Sequence, residues 1–270
     1  MLVTLTIAGS DSLGGAGIEA DIKAMASLGA HPAVSITAVT SQNSQKVSGI
    51  FPIPASVVIS QLDAILEDSH ISGAKIGMLY SAEVAEQVAR RLKTENFPIV
   101  VDPVFIAGVG DSLKTDELIE AIRKFIIPIS TLITPNIPEA EDLTGIKIND
   151  QKDIADACRR LHSMGADSVL IKGGHLNGPC IDTLFSKNRF LKVKVPRVQI
   201  RGHGGGCILS SLITVHMARG INVWESYLRS KIILDESINS NYAVGHGVPA
   251  MSPIVQTYLN AEKMHRMPKL

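Results

Sequence analysis

The stretch of this chain best suited to chemistry is Arg201-Gly202-His203-Gly204-Gly205-Gly206-Cys207, which opens the apolar helical run Ile208-Leu209-Ser210-Ser211-Leu212-Ile213. Three successive glycines cost backbone entropy, so a plain loop-to-helix joint rarely uses them. At a helix N-terminus the amides of Gly204, Gly205 and Gly206 form a cradle for an anion and could stabilise charge on a group in transfer. Cys207 falls in the first turn, where the helix dipole is expected to favour thiolate and lower the thiol's pKa. The bland alternative for such a cysteine is an inert buried thiol.

Five further segments sit between a strand-like run and a helix-like one. Gly9-Ser10-Asp11-Ser12-Leu13-Gly14-Gly15-Ala16-Gly17 offers amides toward a ligand, although a tight structural turn explains one such loop as well. Its spacing is not that of a dinucleotide-binding G-x-G-x-x-G. Asp21 follows one turn into the helix, where a carboxylate commonly complements the dipole or faces solvent. Ser41-Gln42-Asn43-Ser44 brings amide side chains that can serve a heterocycle or simply build a turn. Asp102-Pro103 and Thr134-Pro135-Asn136-Ile137-Pro138-Glu139 place carboxylates at two strand ends, where Asp102 and Glu139 could hold Mg²⁺ through water and phosphate; Glu139 could equally be a helix N-terminal acid. Lys172-Gly173-Gly174-His175 adds an ammonium that could meet phosphate as a point charge.

Other motifs lead nowhere. Cys158 and His162 have metal-capable spacing but no third partner, and an amphipathic helix accounts for them. Gly110-Asp111-Ser112-Leu113 resembles an esterase block in the wrong place, and no G-x-S-x-G supports reading His203 to Gly206 as a lipase oxyanion loop.

These clusters need a scaffold, and short β-branched runs alternating with helix-periodic stretches predict parallel strands joined by helical crossovers. Strands are expected near 2–7, 34–40, 74–76, 97–102, 132–133 and 168–171, with a hairpin of 183–185 and 189–195 around Lys187-Asn188. Helices are expected near 17–28, 56–67, 82–93, 115–125, 151–164, 206–219 and 223–240. In the second of these, Val57, Ile59, Leu62 and Ile65 are read as one buried face. The result is a three-layer α/β/α domain with a mostly parallel central sheet, running as a single unit over 1–270 with a trailing segment from about 249. Such sheets bind ligands beyond the carboxyl ends of their strands.

Composition agrees. A unit of 270 residues buries about three quarters of the surface its unfolded chain exposes, so it needs no disulfide or metal to hold a core. Hydrophobic residues make up 45% and charged ones 19%, below the roughly 25% usual for soluble domains. Lys plus Arg and Asp plus Glu are 26 each, which argues against nucleic acid as a partner. Three scattered cysteines, no leader pattern and no apolar run of about 20 residues predict a cytoplasmic protein without a membrane partner.

Taken together, the ordered blocks Thr6-Ile7-Ala8-Gly9-Ser10-Asp11, Gly14 to Asp21, Gln42-Asn43, Lys75-Ile76-Gly77-Met78-Leu79, Val101-Asp102-Pro103-Val104, Thr134 to Ala140 and Lys172 to His175 resemble the hydroxymethylpyrimidine/phosphomethylpyrimidine kinases of thiamin synthesis. That family belongs to the ribokinase-like superfamily. The resemblance implies that Gly9, Asp21, Gln42 and Met78 surround a pyrimidine, that Asn136, Glu139 and Lys172 serve ATP and Mg²⁺, that Cys207 is catalytic, and that the protein is a homodimer. The implied reaction phosphorylates 4-amino-5-hydroxymethyl-2-methylpyrimidine and then its monophosphate. Pyridoxal kinase activity and a non-catalytic pyrimidine-binding protein are the alternatives. The chain departs from the family's T-H-G-T-G-C, with Gly202 and Gly205 in place of threonines, and has Gly108 where a lysine is usual. The expected cost at Gly205 is a phosphate-facing hydroxyl.

Overall fold

The protein's structure, a computed structural model, describes residues 1–105, 114–173, 180–195, 204–251 and 253. The readings that involve Gly108, Gly110 to Ser112, Gly174, His175, Gly202 and His203 lie outside these residues. Nine described strands form one sheet: β1 (Leu2–Asp11), β2 (Ala30–Gln42), β3 (Val47–Pro52), β4 (Ala74–Ile76), β5 (Ile99–Val101), β6 (Leu132–Ile133), β7 (Ser168–Ile171), β8 (Cys180–Ser186) and β9 (Arg189–Val195). Their order is β3-β2-β1-β4-β5-β6-β7-β8-β9; the run β2-β1-β4-β5-β6-β7 is parallel, while the pairs β2–β3, β7–β8 and β8–β9 are antiparallel.

The short central strands are apolar on both sides because both faces are covered. One face packs Leu5, Ile7, Ile76, Val101, Ile133 and Val169 under α2 (Ala55–Asp68), α3 (Ala82–Leu92), α4 (Asp116–Ala121), α5 (Ile137–Thr144) and α6 (Gln151–Ser163). The other packs Val100, Leu132, Leu170 and Leu184 under α1 (Gly17–Ser27), α7 (Gly205–Ala218) and α8 (Val223–Asn239). Consecutive residues of β5, β6 and β7 thus serve opposite cores, as the two-residue period of a strand requires. This is the three-layer α/β/α arrangement expected from the sequence.

Four local readings need correction. β1 continues through Gly9, Ser10 and Asp11, so the first glycine loop starts later than expected. β3 is an additional edge strand; its Gly49 and terminal Pro52 resemble turn residues, and an edge tolerates both. In α2 Leu62 is buried and Ile59 and Ile65 pack on the core as expected, but Val57 is 48% exposed and Val58 takes its place. The helix near 115–125 is α-helical only to Ala121 and then widens into a π-helical stretch, Ile122–Ile126. The hairpin turn is as predicted: Lys187 and Asn188 both have positive φ, at 49° and 57°, the twist that two-residue hairpins favour. Ala250 and Met251, expected to trail, are buried.

Candidate active site

The carboxyl ends of β1, β2, β4, β5, β6 and β7 lie at one edge of the parallel sheet, and α7 brings its N-terminus to the same place. Gly204, with φ of 89°, is the N-cap residue of α7, and no side chain caps this helix. A Cβ on Gly204 would lie 2.0 Å from the Gly15 carbonyl oxygen, so the two glycine-rich loops meet backbone to backbone. One residue on, a Cβ on Gly206 would lie 3.2 Å from both Asp102 Oδ2 and Lys172 Nζ. Glycine here is therefore a matter of clearance as well as of free amides.

The first loop is organised differently from the expectation that its amides face a ligand. Asp11 accepts hydrogen bonds from the amides of Leu13, Gly15 and Ala16, at 3.0, 2.9 and 2.9 Å. Glu19 binds the Asp11 amide and the Ser10 hydroxyl. The loop is thus closed by its own carboxylates. Gly9 lies against Met78, whose Cε is 2.2 Å from where a Cβ on Gly9 would stand. Ser12 Oγ donates to the Gln42 carbonyl and accepts from the Gln42 amide, which ties the end of β2 to this loop. Gly9 thus meets Met78, and the Gln42 backbone meets the Ser12 end of the same loop.

Asp21 has another task than the edge-on contact expected of it. It is fully buried, and its oxygens accept from Lys75 Nζ at 2.9 and 3.0 Å, Thr6 Oγ1 at 2.6 Å and Ser211 Oγ at 2.8 Å. Four hydrogen bonds from three donors occupy both oxygens, so in this arrangement the carboxylate anchors Lys75 and α7. Lys75 is a functional candidate that reasoning from the sequence passed over. The signal was available: a lysine between Ala74 and Ile76 in a strand too apolar to reach water needs a buried partner. Gly77 makes room for it, since a Cβ there would stand 2.6 Å from Lys75 Nζ. Burial opposes the charge on Lys75, but the Asp21 carboxylate, with Asp102 beyond it, holds the ammonium protonated.

A second ionic group lies under Gly206. Lys172 Nζ donates to Asp102 Oδ1 at 2.8 Å, and Thr134 Oγ1 donates to the same oxygen at 3.2 Å. Burial alone would raise the Asp102 carboxyl; the charges of Lys172 and Lys75 outweigh it and hold the group below the usual carboxylate range. The Lys172 ammonium, destabilised by burial, is raised by Asp102 and Glu139. Asn136 caps α5 with its Oδ1 on the Glu139 amide at 2.9 Å, while Glu139 Oε2 accepts from the Asn136 amide at 2.7 Å. This reciprocal capping box realises the bland reading of Glu139 without removing it from the site. Burial pushes the Glu139 carboxyl up to about 7, with Lys172 pulling it down and Asp102 pushing it further up. Asp102 and Glu139 flank Lys172 as oxygen donors, and among the described residues no group of three or more His, Cys, Asp or Glu forms a cage. That donor set suits Mg²⁺, an ion that keeps water and phosphate ligands.

Cys207 lies between the two groups, under the influence of Lys75, Asp21 and Asp102, and takes a hydrogen bond from the Gly17 amide. Its titration corrects the expectation from the dipole. Burial pushes the thiol up to about 11, against the opposing pull of Lys75, so at neutral pH it is a thiol. Gly205 corrects another: a Cβ there would meet Met251 Cε and Sδ at 3.4 and 3.5 Å and Leu234 at 3.9 Å, so that direction is apolar. The other two cysteines take no part here. Cys158 is core, its thiol pushed by burial up to about 12, and His162 Nδ1 lies 2.7 Å from the Ala166 carbonyl oxygen, which accounts for this spacing without a metal.

Comparison with known proteins is consistent along nearly the whole chain. The family model described as Phosphomethylpyrimidine kinase matches residues 11–252. A hydroxymethylpyrimidine/phosphomethylpyrimidine kinase from Aquifex aeolicus is 41% identical over 254 residues, covering 93% of this chain and 99% of the relative. The thiamine biosynthesis bifunctional protein ThiED of Geobacter sulfurreducens is 41% identical over 246 residues; the match covers 90% of this chain and half of that protein. Among solved structures, phosphomethylpyrimidine kinase from Clostridium difficile superposes with a TM-score of 0.80 at 40% identity, covering 88% of this chain and all of the other. Bacillus subtilis pyridoxal kinase, solved as an ADP complex, reaches 0.87 at 28% identity over 96% of this chain and 99% of its own.

Proposed function

This chain belongs to the phosphomethylpyrimidine kinase family, and from that premise we propose that it transfers the γ-phosphoryl of ATP to the hydroxymethyl group of 4-amino-5-hydroxymethyl-2-methylpyrimidine, and then phosphorylates the monophosphate. The observation that carries the reading is the seating of the first turn of α7 on the Asp102–Lys172 pair at Gly206, with Cys207 next in the chain. A loose phosphoryl-transfer transition state asks mainly for positioning and charge stabilisation. The uncapped amides at the start of α7 supply donors, and Lys172 supplies positive charge near phosphate. Asp102 and Glu139 would hold Mg²⁺, which when bound offsets phosphate charge. Gly9, Gln42 and Met78 would border the pyrimidine, with Asp21 behind them holding Lys75.

In this reading Cys207 would receive the alcohol proton as the new O–P bond forms and the bond to ADP breaks. A resting thiol near 11 is a poor base at neutral pH, so any base role needs the ligands to shift it. The test follows mono- and diphosphate separately with ATP, Mg²⁺ and the pyrimidine. The expected outcome is ATP-dependent formation of both products, with Cys207→Ala slowing the first transfer more than the second, because a phosphate monoester is already largely ionised at pH 7. Equal losses leave Cys207 a positioning role, and a chain that binds the pyrimidine without consuming ATP ends the proposal. Likeness to a pyridoxal kinase makes pyridoxal the competing alcohol for side-by-side kinetics.

A further inference from the structure

The segment after α8 touches two parts of the site at once. Tyr242 and Ala250 exchange backbone hydrogen bonds, both 3.0 Å, and close the residues between them into a loop. The far end of this loop lies on Ser44, two residues beyond Gln42. Gly247 N–H donates to Ser44 Oγ at 3.0 Å, and Val248 N–H donates to the Ser44 carbonyl at 2.9 Å. Ser44 is 5% exposed although Asn43 and Gln45 beside it are exposed. The contact is close enough to require glycine. A Cβ on Gly245 would stand 2.6 Å from Ser44 Oγ, and one on Gly247 would stand 2.0 Å from the Ser44 carbonyl oxygen. At the base of the loop Met251 is buried against the helical cluster of α7 and α8, filling the direction a side chain on Gly205 would take.

One covalent strap is therefore fastened at its tip to the turn that follows Gln42 and at its base to the first turn of α7. The turn itself is rigid, since Asn43 Oδ1 accepts from the Gln45 and Lys46 amides, at 2.9 and 3.0 Å, and the Asn43 amide donates to the Lys46 carbonyl. Rigid ends joined by a hydrogen-bonded loop transmit displacement between them. We propose that residues 242–251 form a positioning strap that sets the Gln42 turn against the triglycine corner, with Ser44, Gly247 and Met251 as its fastening points. The inference rests on the site assigned under the proposed function and adds residues that act through Gln42 and Gly205 without touching substrate.

The test uses Gly247→Ala in the full chain, which drives the strap off Ser44, beside Ser44→Ala, which removes one fastening and leaves the carbonyl bond. Amide hydrogen exchange is read over 41–46 and 204–209 in the ligand-free protein, and steady-state kinetics are read for ATP and pyrimidine separately. The expected result for Gly247→Ala is exchange about tenfold faster in both segments. The expected kinetic result is a pyrimidine KM raised about tenfold with a smaller change in the KM for ATP, and Ser44→Ala falls in between. Exchange that rises at 41–46 while 204–209 stays as protected as in the parent chain overturns the strap, as do unchanged kinetics with both segments loosened. Since exchange is measured without ligand, a parent chain that fails to phosphorylate the pyrimidine defeats the functional reading and leaves the coupling to be decided by exchange.

Discussion

Lys75 carries a full charge with neither its own side chain nor that of Asp21 exposed to solvent, so each group depends on the other. Removing one member of such a pair costs about 3–5 kcal/mol, because the survivor is left charged and unpaired, whereas the pair itself need add little stability over an apolar core. Retaining it makes physical sense if the ammonium acts beyond the pair. Its nearest beneficiary is Cys207, whose thiolate Lys75 favours while burial, Asp21 and Asp102 disfavour it. The raised pKa fixes the sign of the pH dependence. The neutral thiol persists through neutral pH, and thiolate rises about tenfold per pH unit until pH approaches about 11. Modification of Cys207 by a small thiol reagent, located by peptide mapping with Cys207→Ser as the blank, is expected to stay slow at pH 7 and to climb steadily beyond pH 9. A rise complete by pH 8 would mean that the helix dipole outweighs burial after all.

At the level of elements, α7 is the hinge between the two halves of the site, because Ser211 ties it to Asp21, Gly206 rests on Asp102 and Lys172, and Gly204 abuts Gly15. The glycines of its first turn are not equivalent. Gly204 combines a φ of 89° with a 2.0 Å clash for any Cβ against backbone, whereas Gly205 faces the flexible tip of Met251. Gly204→Ala is expected to destabilise by about 1–3 kcal/mol in denaturant titrations and to abolish most transfer activity. Gly205→Ala is expected to stay within about 1 kcal/mol and to keep activity; the reverse order would reassign the corner. Much of this was legible in the sequence. Strands β4, β6 and β7 and the Lys187-Asn188 hairpin announce themselves through apolar runs and turn residues, and Glu139 reads as a helix N-terminal acid, the role it takes in the capping box of α5. What stayed hidden depends on contacts distant in sequence. Asp21 reads as a helix-surface acid until Lys75 and Ser211 are brought to it, and the Cys207 pKa turns on burial that no local pattern encodes. Asp11 takes the amides expected to face a ligand because β1 runs farther than its hydrophobic part.

At the scale of the whole molecule, the candidate site gathers at the carboxyl edge of the parallel sheet, the edge where such sheets bind ligands. The carboxyl ends of β1, β2 and β4 through β7 deliver Gly9, Gln42, Met78, Asp102, Asn136 and Lys172 from six different strands to one edge. The opposite edge has a cavity of about 480 Å³ lined by His70, Ser72, Glu95, Phe97 and Ala218 among others, at the amino ends of β4 and β5. Glu95 is engaged with Arg91 there, and His70 is exposed. No helix among the described residues is long and apolar enough to cross a membrane. If chemistry belongs to one edge alone, two substitutions of similar size should differ sharply. His70→Ala is expected to leave kcat and both KM values within about twofold, the scale of a surface change of about 0.5 kcal/mol. Lys172→Ala, which strips Asp102 of its partner and the phosphate site of its charge, is expected to lower kcat on the order of 10²–10³. Steady-state kinetics on both variants decide the matter: a comparable loss from His70→Ala would show that the far cavity communicates with the reaction, and the division of the sheet into a reactive and a supporting edge would fail.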